Sequence, residues 1–302
     1  MPTAAVLGPG GVGGFLAAAL ALAGERVVVV AREPTAERLN THGIEVESER
    51  LGNFVARPHA ATVLEQPVPL LLLATKATTL ERALERIHAT PQLTVPLLNG
   101  FEHMKLLRER FGPDRVAAGA IRVESSSPEP GQITQTSPFL RVDLAADDPF
   151  AGRALGPAAE MLERAGIPTR LEDSEAHVLW SKLVRLVALA CTTSASDQTI
   201  GFVRSDPRWR ATLEACVAEA AAVANADGGR VDPAATLAEL DDAHPGLGSS
   251  MQRDISAGRE PELDAIAGAV LRAGKRHGLE CPTIARLTVS IAERAGLERV
   301  RL

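Results

Sequence analysis

Within the first fourteen residues a short apolar run, "TAAVLG" (Thr3–Gly8), meets a cluster of glycines and opens into "GVGGFLAAALALAGE", an Ala/Leu-rich segment closed by Gly24. This constrains the fold more than any other feature of the chain. Gly8, Gly10 and Gly13 have Gly-x-Gly-x-x-Gly spacing at a turn from strand to helix. Residues without side chains let the backbone turn tightly, approach a pyrophosphate closely and pack the helix on the strand. The next strand, "RVVVVAR", ends about 20 residues further on, as a dinucleotide-binding βαβ unit requires. The expected reading is a Rossmann-type, doubly wound sheet with Gly8, Gly10, Gly11, Val12 and Gly13 cradling a dinucleotide. Where an NAD site usually places an acid for the ribose 2′-hydroxyl, this chain has Arg32. A guanidinium suits a 2′-phosphate, so NADPH is expected over NADH, although Glu33 next to it could still reach a ribose.

The alternation continues. "VPLLLLATK" and "LTVPLLNG" have the uninterrupted apolar character of strands covered on both faces in a parallel sheet. Helical patterns, "TTLERALERIHA" and "FEHMKLLRERFG", follow or separate them. "RVAAGAIRVESSS", "GQITQT" and "PFLRVDL" predict further strands, some antiparallel, and "FAGRALGPAAEMLERAGIPTRL" a helix and a last strand. Beyond Glu172 the strand signals stop, and helices are predicted over 176–193, 209–226, 233–240, 262–277 and 283–295. The expected organisation is residues 1–172 as an NADP-binding α/β domain and 173–302 as an all-α domain for substrate and catalysis.

A net charge of −6, no Lys/Arg block and 3% aromatic residues exclude nucleic acid as an expected partner. The longest apolar runs are strand-sized and the first residues show no basic-then-apolar leader, so no membrane association and a cytoplasmic location are expected. Three widely spaced cysteines without a CxxC fit small core residues in a reducing compartment, and the scattered histidines suggest no metal site. The Ala-rich 209–226 segment could pack within its domain or against a second subunit; a homodimer is the expected assembly.

In "HVLWSKLVRLVALACTT" Lys182 interrupts the apolar stripe of a helix, stacked among Val178, Leu186 and Leu189 with Arg185 to one side. A buried, unpaired ammonium costs several kcal/mol, so this lysine should snorkel, pair or do chemistry. Only four of the 32 basic residues are lysines (Lys76, Lys105, Lys182 and Lys275), which suggests a use for a deprotonatable ammonium. Reduction of a ketone needs a proton donor for the developing alkoxide. The chain contains no tyrosine, which rules out a Tyr-x-x-x-Lys pair. His103 and His177 have no obvious carboxylate partner and read as surface or packing residues. Lys182, beside an apolar pocket and a cationic ring, is the candidate acid.

"VLGPGGVGG", "LLLATKA", "LLNG", "LWSKLVRLVALA" and "SSMQRDISAGREPELDAIAG…HGLECP" occur in one order over nearly the whole chain. Together they resemble the ketopantoate reductases (2-dehydropantoate 2-reductases), NADPH enzymes of pantothenate biosynthesis. The resemblance implies reduction of a 2-oxo acid to a 2-hydroxy acid. Lys182 would be the general acid and Glu262 would bind substrate. Asn99 would serve substrate and cofactor, Lys76 would lie near the cofactor, and Ser250 would contact the substrate carboxylate. Without the resemblance, Glu262 could simply favour a helix start, Asn99 a turn, and Ser249 or Ser250 a helix cap. The chain departs from the family where asparagines are usual: Leu186 and Ala190 after the lysine, and Leu247 before the serines. Ketopantoate, reduced to pantoate, is the default substrate that the resemblance implies, and loss of three amides opens a less hydroxylated, more apolar analogue as the alternative; Thr193, nearly in line with Lys182, could replace one hydrogen bond. Two alternatives are a 3-hydroxyacid or imine-type dehydrogenase of related architecture and a non-catalytic NADP-sensing protein.

Overall fold

The computed structural model describes residues 1–297. Its first part runs β1 (Ala4–Leu7), α1 (Gly11–Leu22), β2 (Val27–Val30), α2 (Glu33–His42), β3 (Ile44–Ser48), β4 (Phe54–Ala56), β5 (His59–Ala61) and β6 (Leu70–Leu73). It continues through α3 (Leu80–Leu84), β7 (Leu93–Pro96), α4 (His103–Phe111), β8 (Ala118–Arg122), β9 (Ser125–Ser126), β10 (Gln132–Gln135), β11 (Arg141–Ala145), α5 (Pro149–Arg164) and β12 (Thr169–Leu171). The central sheet is parallel in the order β5-β2-β1-β6-β7. Every residue of β1 and β6 is buried, which explains why their sequences show no alternation. From β1 the chain winds outward through β2 to β5, then returns to the other side of β1 for β6 and β7. The strand order therefore reverses between β1 and β6, the place where open α/β sheets bind ligands beyond the carboxyl ends of their strands.

The remaining strands form two smaller sheets, β4-β3-β10-β9 and β12-β11-β8, with β8 and β9 antiparallel to their neighbours as the sequence suggests. A single parallel bridge from Thr94 to Val116 continues the central sheet towards β8. α2 and β3 to β5 are additions to the expected elements, although "IEVES" alternates buried and exposed along β3. The helix expected from "TTLERALERIHA" stops at Leu84. The following chain turns back to pair with Leu64, whose N–H donates to Arg86 O at 2.8 Å and whose carbonyl accepts from His88 N–H at 3.1 Å. Tertiary pairing overrides local helix preference there.

The helical part comprises α6 (Glu175–Ser196), α7 (Ile200–Ser205), α8 (Pro207–Ala226), α9 (Pro233–Asp241), α10 (Ser250–Ser256), α11 (Ala269–Arg276) and α12 (Pro282–Arg294). Asp-Pro pairs start α8 and α9: the Asp206 and Asp232 side chains accept N–H donors of the first turn, and proline occupies the position that has no N–H to lose. α7 and α10 also add to the expected set. The 22-residue α6 is long and apolar enough to cross a membrane by length and composition, but 72% of its most apolar window is buried inside the molecule. It is a core helix. By internal contacts the chain divides into Met1–Leu98 with His103–Val178, and Asn99–Glu102 with Leu179–Leu302. Asn99–Glu102, between β7 and α4 in sequence, thus clusters with the helices.

The start of α6 carries a buried acid. Arg108 donates to Glu175 Oε2, and Glu175 and Asp147 exchange backbone-to-carboxylate hydrogen bonds of 3.2 Å in both directions. Burial nevertheless pushes the Glu175 carboxyl above its usual range, outweighing Arg108 and the Asp147 N–H. A raised folded-state value means that this group's contribution to stability is complete below about pH 4 and fades as pH rises through the folded value. Urea unfolding of wild type and Glu175→Gln across that range is expected to show wild type gaining on the variant as pH falls. A parallel pair of curves would refute the assignment.

Candidate active site

The glycine loop lies at the reversal point of the sheet. Gly8 N–H donates to Val30 O at 3.2 Å and Ala74 N–H to Leu7 O at 2.9 Å, which locks together the ends of β1, β2 and β6. A Cβ added at Gly13 would lie 2.1 Å from the Gly8 carbonyl oxygen, so helix and loop approach as closely as only glycine allows. Gly10 precedes α1 and has nothing within 4 Å of where its Cβ would stand. Gly11 and half-buried Val12 open α1, and the Gly11 carbonyl accepts a hydrogen bond from Ser125 Oγ at 2.9 Å. Arg32 is exposed and immediately precedes α2, just beyond β2. Lys76 is half-buried where the chain leaves β6, its carbonyl accepting Thr79 N–H at 3.1 Å.

One neighbour escaped the sequence reading. Thr75 Oγ1 is buried and has no hydrogen-bond partner among the described residues. A buried, unsatisfied hydroxyl costs about 1–3 kcal/mol. A glycine cradle with an orphaned hydroxyl beside it suits a dinucleotide, whose phosphate and ribose oxygens would satisfy such groups.

The second group of predicted residues lies in the unit containing the helices. Asn99 Nδ2 donates to Glu262 Oε2 at 2.9 Å, joining residues 163 apart in sequence. Glu262 is 8% exposed and Asn99 half-buried. Gly100 adopts φ +79°, and a Cβ there would lie 2.2 Å from the Ala265 carbonyl oxygen, so the turn requires glycine for both conformation and space. Glu262 is predicted to begin a regular helix. Instead the backbone widens into a π-helical segment, Asp264–Gly268, before α11. π-Helical turns are rare and recur at functional sites.

Lys182 is half-buried on α6, on a face where Val178 and Leu189 are buried and Leu186 is half-buried. Further along that face, Thr193 is fully buried; its hydroxyl lies 2.7 Å from Leu189 O and 3.0 Å from Ser249 Oγ. Ser249 in turn accepts Gln252 N–H at 3.1 Å. Both hydroxyls of this relay therefore have hydrogen-bond partners. Thr193 thus ties α6 to the cap of α10, a structural use for the hydroxyl considered as a substitute substrate contact. Ser249 is the cap, and exposed Ser250 is the first residue of α10. Leu186 and Leu247 are half-buried and Ala190 is buried. His103 is also buried, 8% exposed at the start of α4. The cysteines are poor nucleophiles: burial pushes the Cys191 thiol up to about 12, Cys281 up to about 11 and Cys216 well above its ordinary value.

A parallel sheet with a glycine cradle at its reversal point, followed by helices carrying a lysine and a carboxylate–amide pair, defines a dinucleotide-dependent oxidoreductase architecture. The family profile described as "Ketopantoate reductase PanE/ApbA" matches residues 4–146, and "Ketopantoate reductase PanE/ApbA C terminal" matches 176–295. The chain belongs to this ketopantoate reductase family and is an oxidoreductase. It is 29% identical to the 2-dehydropantoate 2-reductase of Caulobacter vibrioides over 312 aligned positions, covering 98% of this chain and 100% of that protein. Among solved structures, the 2-dehydropantoate 2-reductase from Geobacter metallireducens GS-15 superposes with a TM-score of 0.89 at 24% identity, covering 96% of this chain and 99% of that one. A D-mandelate dehydrogenase with NADH and anilino(oxo)acetate gives 0.88 at 20% identity, covering 97% and 98% respectively. At these identities the two structures establish the fold alone.

Proposed function

We propose that this chain is an NADPH-dependent reductase of a 2-oxo acid, with Lys182 as general acid and Glu262, Asn99 and Ser250 orienting the substrate. The observation that carries the reading is the 2.9 Å hydrogen bond between Asn99 and Glu262. Two residues singled out separately for the same substrate are adjacent in the fold. Residues 1–172 serve the cofactor in this reading, and 173–302, with Asn99, serve the substrate. Gly8, Gly10, Gly11, Val12 and Gly13 hold the pyrophosphate, Arg32 the 2′-phosphate, and Lys76 and Asn99 border the remainder. When bound, the cofactor would supply a hydride to the carbonyl carbon. Lys182 gives its proton to the carbonyl oxygen, so no free alkoxide forms. The Glu262 carboxylate, its Oε2 engaged by Asn99, fixes the substrate by accepting a hydrogen bond, and the Ser250 hydroxyl donates to the substrate carboxylate. The three buried thiols suit a cytoplasmic enzyme.

Similarity to 2-dehydropantoate 2-reductases makes ketopantoate the default substrate. Leu186, Ala190 and Leu247 favour a less hydroxylated one. The test is loss of NADPH absorbance with a panel containing ketopantoate, its deoxy analogues and aryl 2-oxo acids, repeated with NADH. Turnover of a 2-oxo acid with NADPH preferred is expected, with apolar analogues favoured over ketopantoate by about tenfold or more in kcat/KM. Turnover of no 2-oxo acid would sink the reading. An ordinary preference for ketopantoate would sink the shift in specificity alone.

A further inference from the structure

All four residues of the Asn99–Glu102 turn are engaged by the helical unit. Asn99 bonds Glu262 at 2.9 Å. Gly100 lies against the Ala265 carbonyl. Phe101 packs against Trp180, the rings tilted by 42° with centroids 4.8 Å apart, and has the Arg276 guanidinium 6.0 Å from its ring centroid. Glu102 receives a two-pronged grip from Arg272, Nε to Oε1 at 3.0 Å and Nη2 to Oε2 at 2.6 Å. The same guanidinium reaches the π-helical segment, with Nη1 2.8 Å from Asp264 Oδ1 and Nη2 3.1 Å from the Asp264 carbonyl oxygen.

We propose that Arg272 is a positioning residue. By spanning Glu102 and Asp264 it pins the turn that carries Asn99 to the backbone that carries Glu262. The pinned atoms lie three residues beyond Asn99 and two beyond Glu262, so the guanidinium fixes how that pair meets. The role suits arginine specifically: its planar fork bonds two partners at once and holds its charge at any working pH, whereas a lysine ammonium offers one point of attachment. Partly exposed ion pairs add little to global stability, so the clamp is expected to act on local geometry. An unwound π-helical turn also has fewer regular backbone constraints than α-helix, leaving more of its position to be set by side chains.

The inference rests on the functional reading above, and its test keeps the two apart. Arg272→Gln, Glu102→Gln and the double variant would be compared with wild type by amide exchange of the 99–102 peptide and by steady-state kinetics with the best 2-oxo acid of the panel. In Arg272→Gln the turn should exchange about tenfold faster, with the melting temperature nearly unchanged. Substrate KM should rise about tenfold while kcat stays within about threefold. Glu102→Gln should reproduce both effects and the double variant should add little to either, because one bridge is being removed twice. Arg272→Lys should not restore KM. Unchanged exchange of the turn, or a loosened turn with an unchanged KM, would overturn the clamp. Wild-type turnover in the same assay reports separately on the functional reading.

Discussion

Replacing Lys182 by alanine is expected to lower kcat/KM for the reducible 2-oxo acid by about 10²–10⁴-fold, while NADPH affinity stays within about twofold. The argument starts from position. Lys182 occupies a half-buried site on the core helix α6, with buried Val178 and Leu189 on the same face. A lysine ammonium there can give up its proton as an alkoxide develops nearby, which is what general acid catalysis requires. A guanidinium in its place would keep the charge but hold its proton too tightly, so Lys182→Arg is expected to remain impaired. A lysine that merely snorkels predicts near-normal turnover for both variants, and a nucleotide sensor predicts no turnover to lose. Equal kcat/KM for wild type and Lys182→Ala would therefore remove the proton donor from the scheme.

The second large effect belongs to the glycine cradle, where two substitutions separate folding from binding. At Gly13 even a methyl group would sit 2.1 Å from a main-chain oxygen, so Gly13→Ala must displace α1 or the loop. Overpacking of this kind costs about 1–3 kcal/mol, and NADPH affinity is expected to fall by about 10²-fold together with the melting temperature. Gly10 faces open space instead, with nothing within 4 Å of the point a methyl group would occupy. Gly10→Ala should keep the wild-type melting temperature yet still weaken NADPH, because the methyl would fill the room into which a pyrophosphate must come. Fluorescence titration with NADPH beside thermal unfolding reads both. Normal nucleotide affinity in Gly10→Ala and Gly13→Ala together would place the dinucleotide elsewhere.

Much of the architecture is legible in the sequence because its signals are local. Unbroken apolar runs mark β1, β2 and β6, which are covered on both faces, and the glycine spacing marks the turn after β1. The alternation in "IEVES" is equally present but spans only five residues, too short to stand out without the small sheet that β3 joins. The shortened α3 could not be read locally, since its end depends on pairing with Leu64, sixteen residues before Leu80. At the site, motif order singles out Asn99 and Glu262, but nothing local says that they touch. The Arg272 bridge is invisible for the same reason: Glu102 and Arg272 are 170 residues apart, and each reads alone as an ordinary surface charge. Thr75 lies within "LLLATKA", but nothing in that run marks its hydroxyl, which emerges as unsatisfied only in the folded chain.

The widened turn at Asp264–Gly268 has a consequence for which sequence changes this site tolerates. A π-helical turn accommodates one more residue than the α-helix around it, so losing a single codon there would heal the helix into regular phase. With α11 anchored by its buried side, the repair would swing everything ahead of it by about 100° and draw it in by about 1.5 Å. Glu262 would then face away from Asn99. The helix can be regular, or it can present that carboxylate to its amide partner, but the same backbone cannot do both.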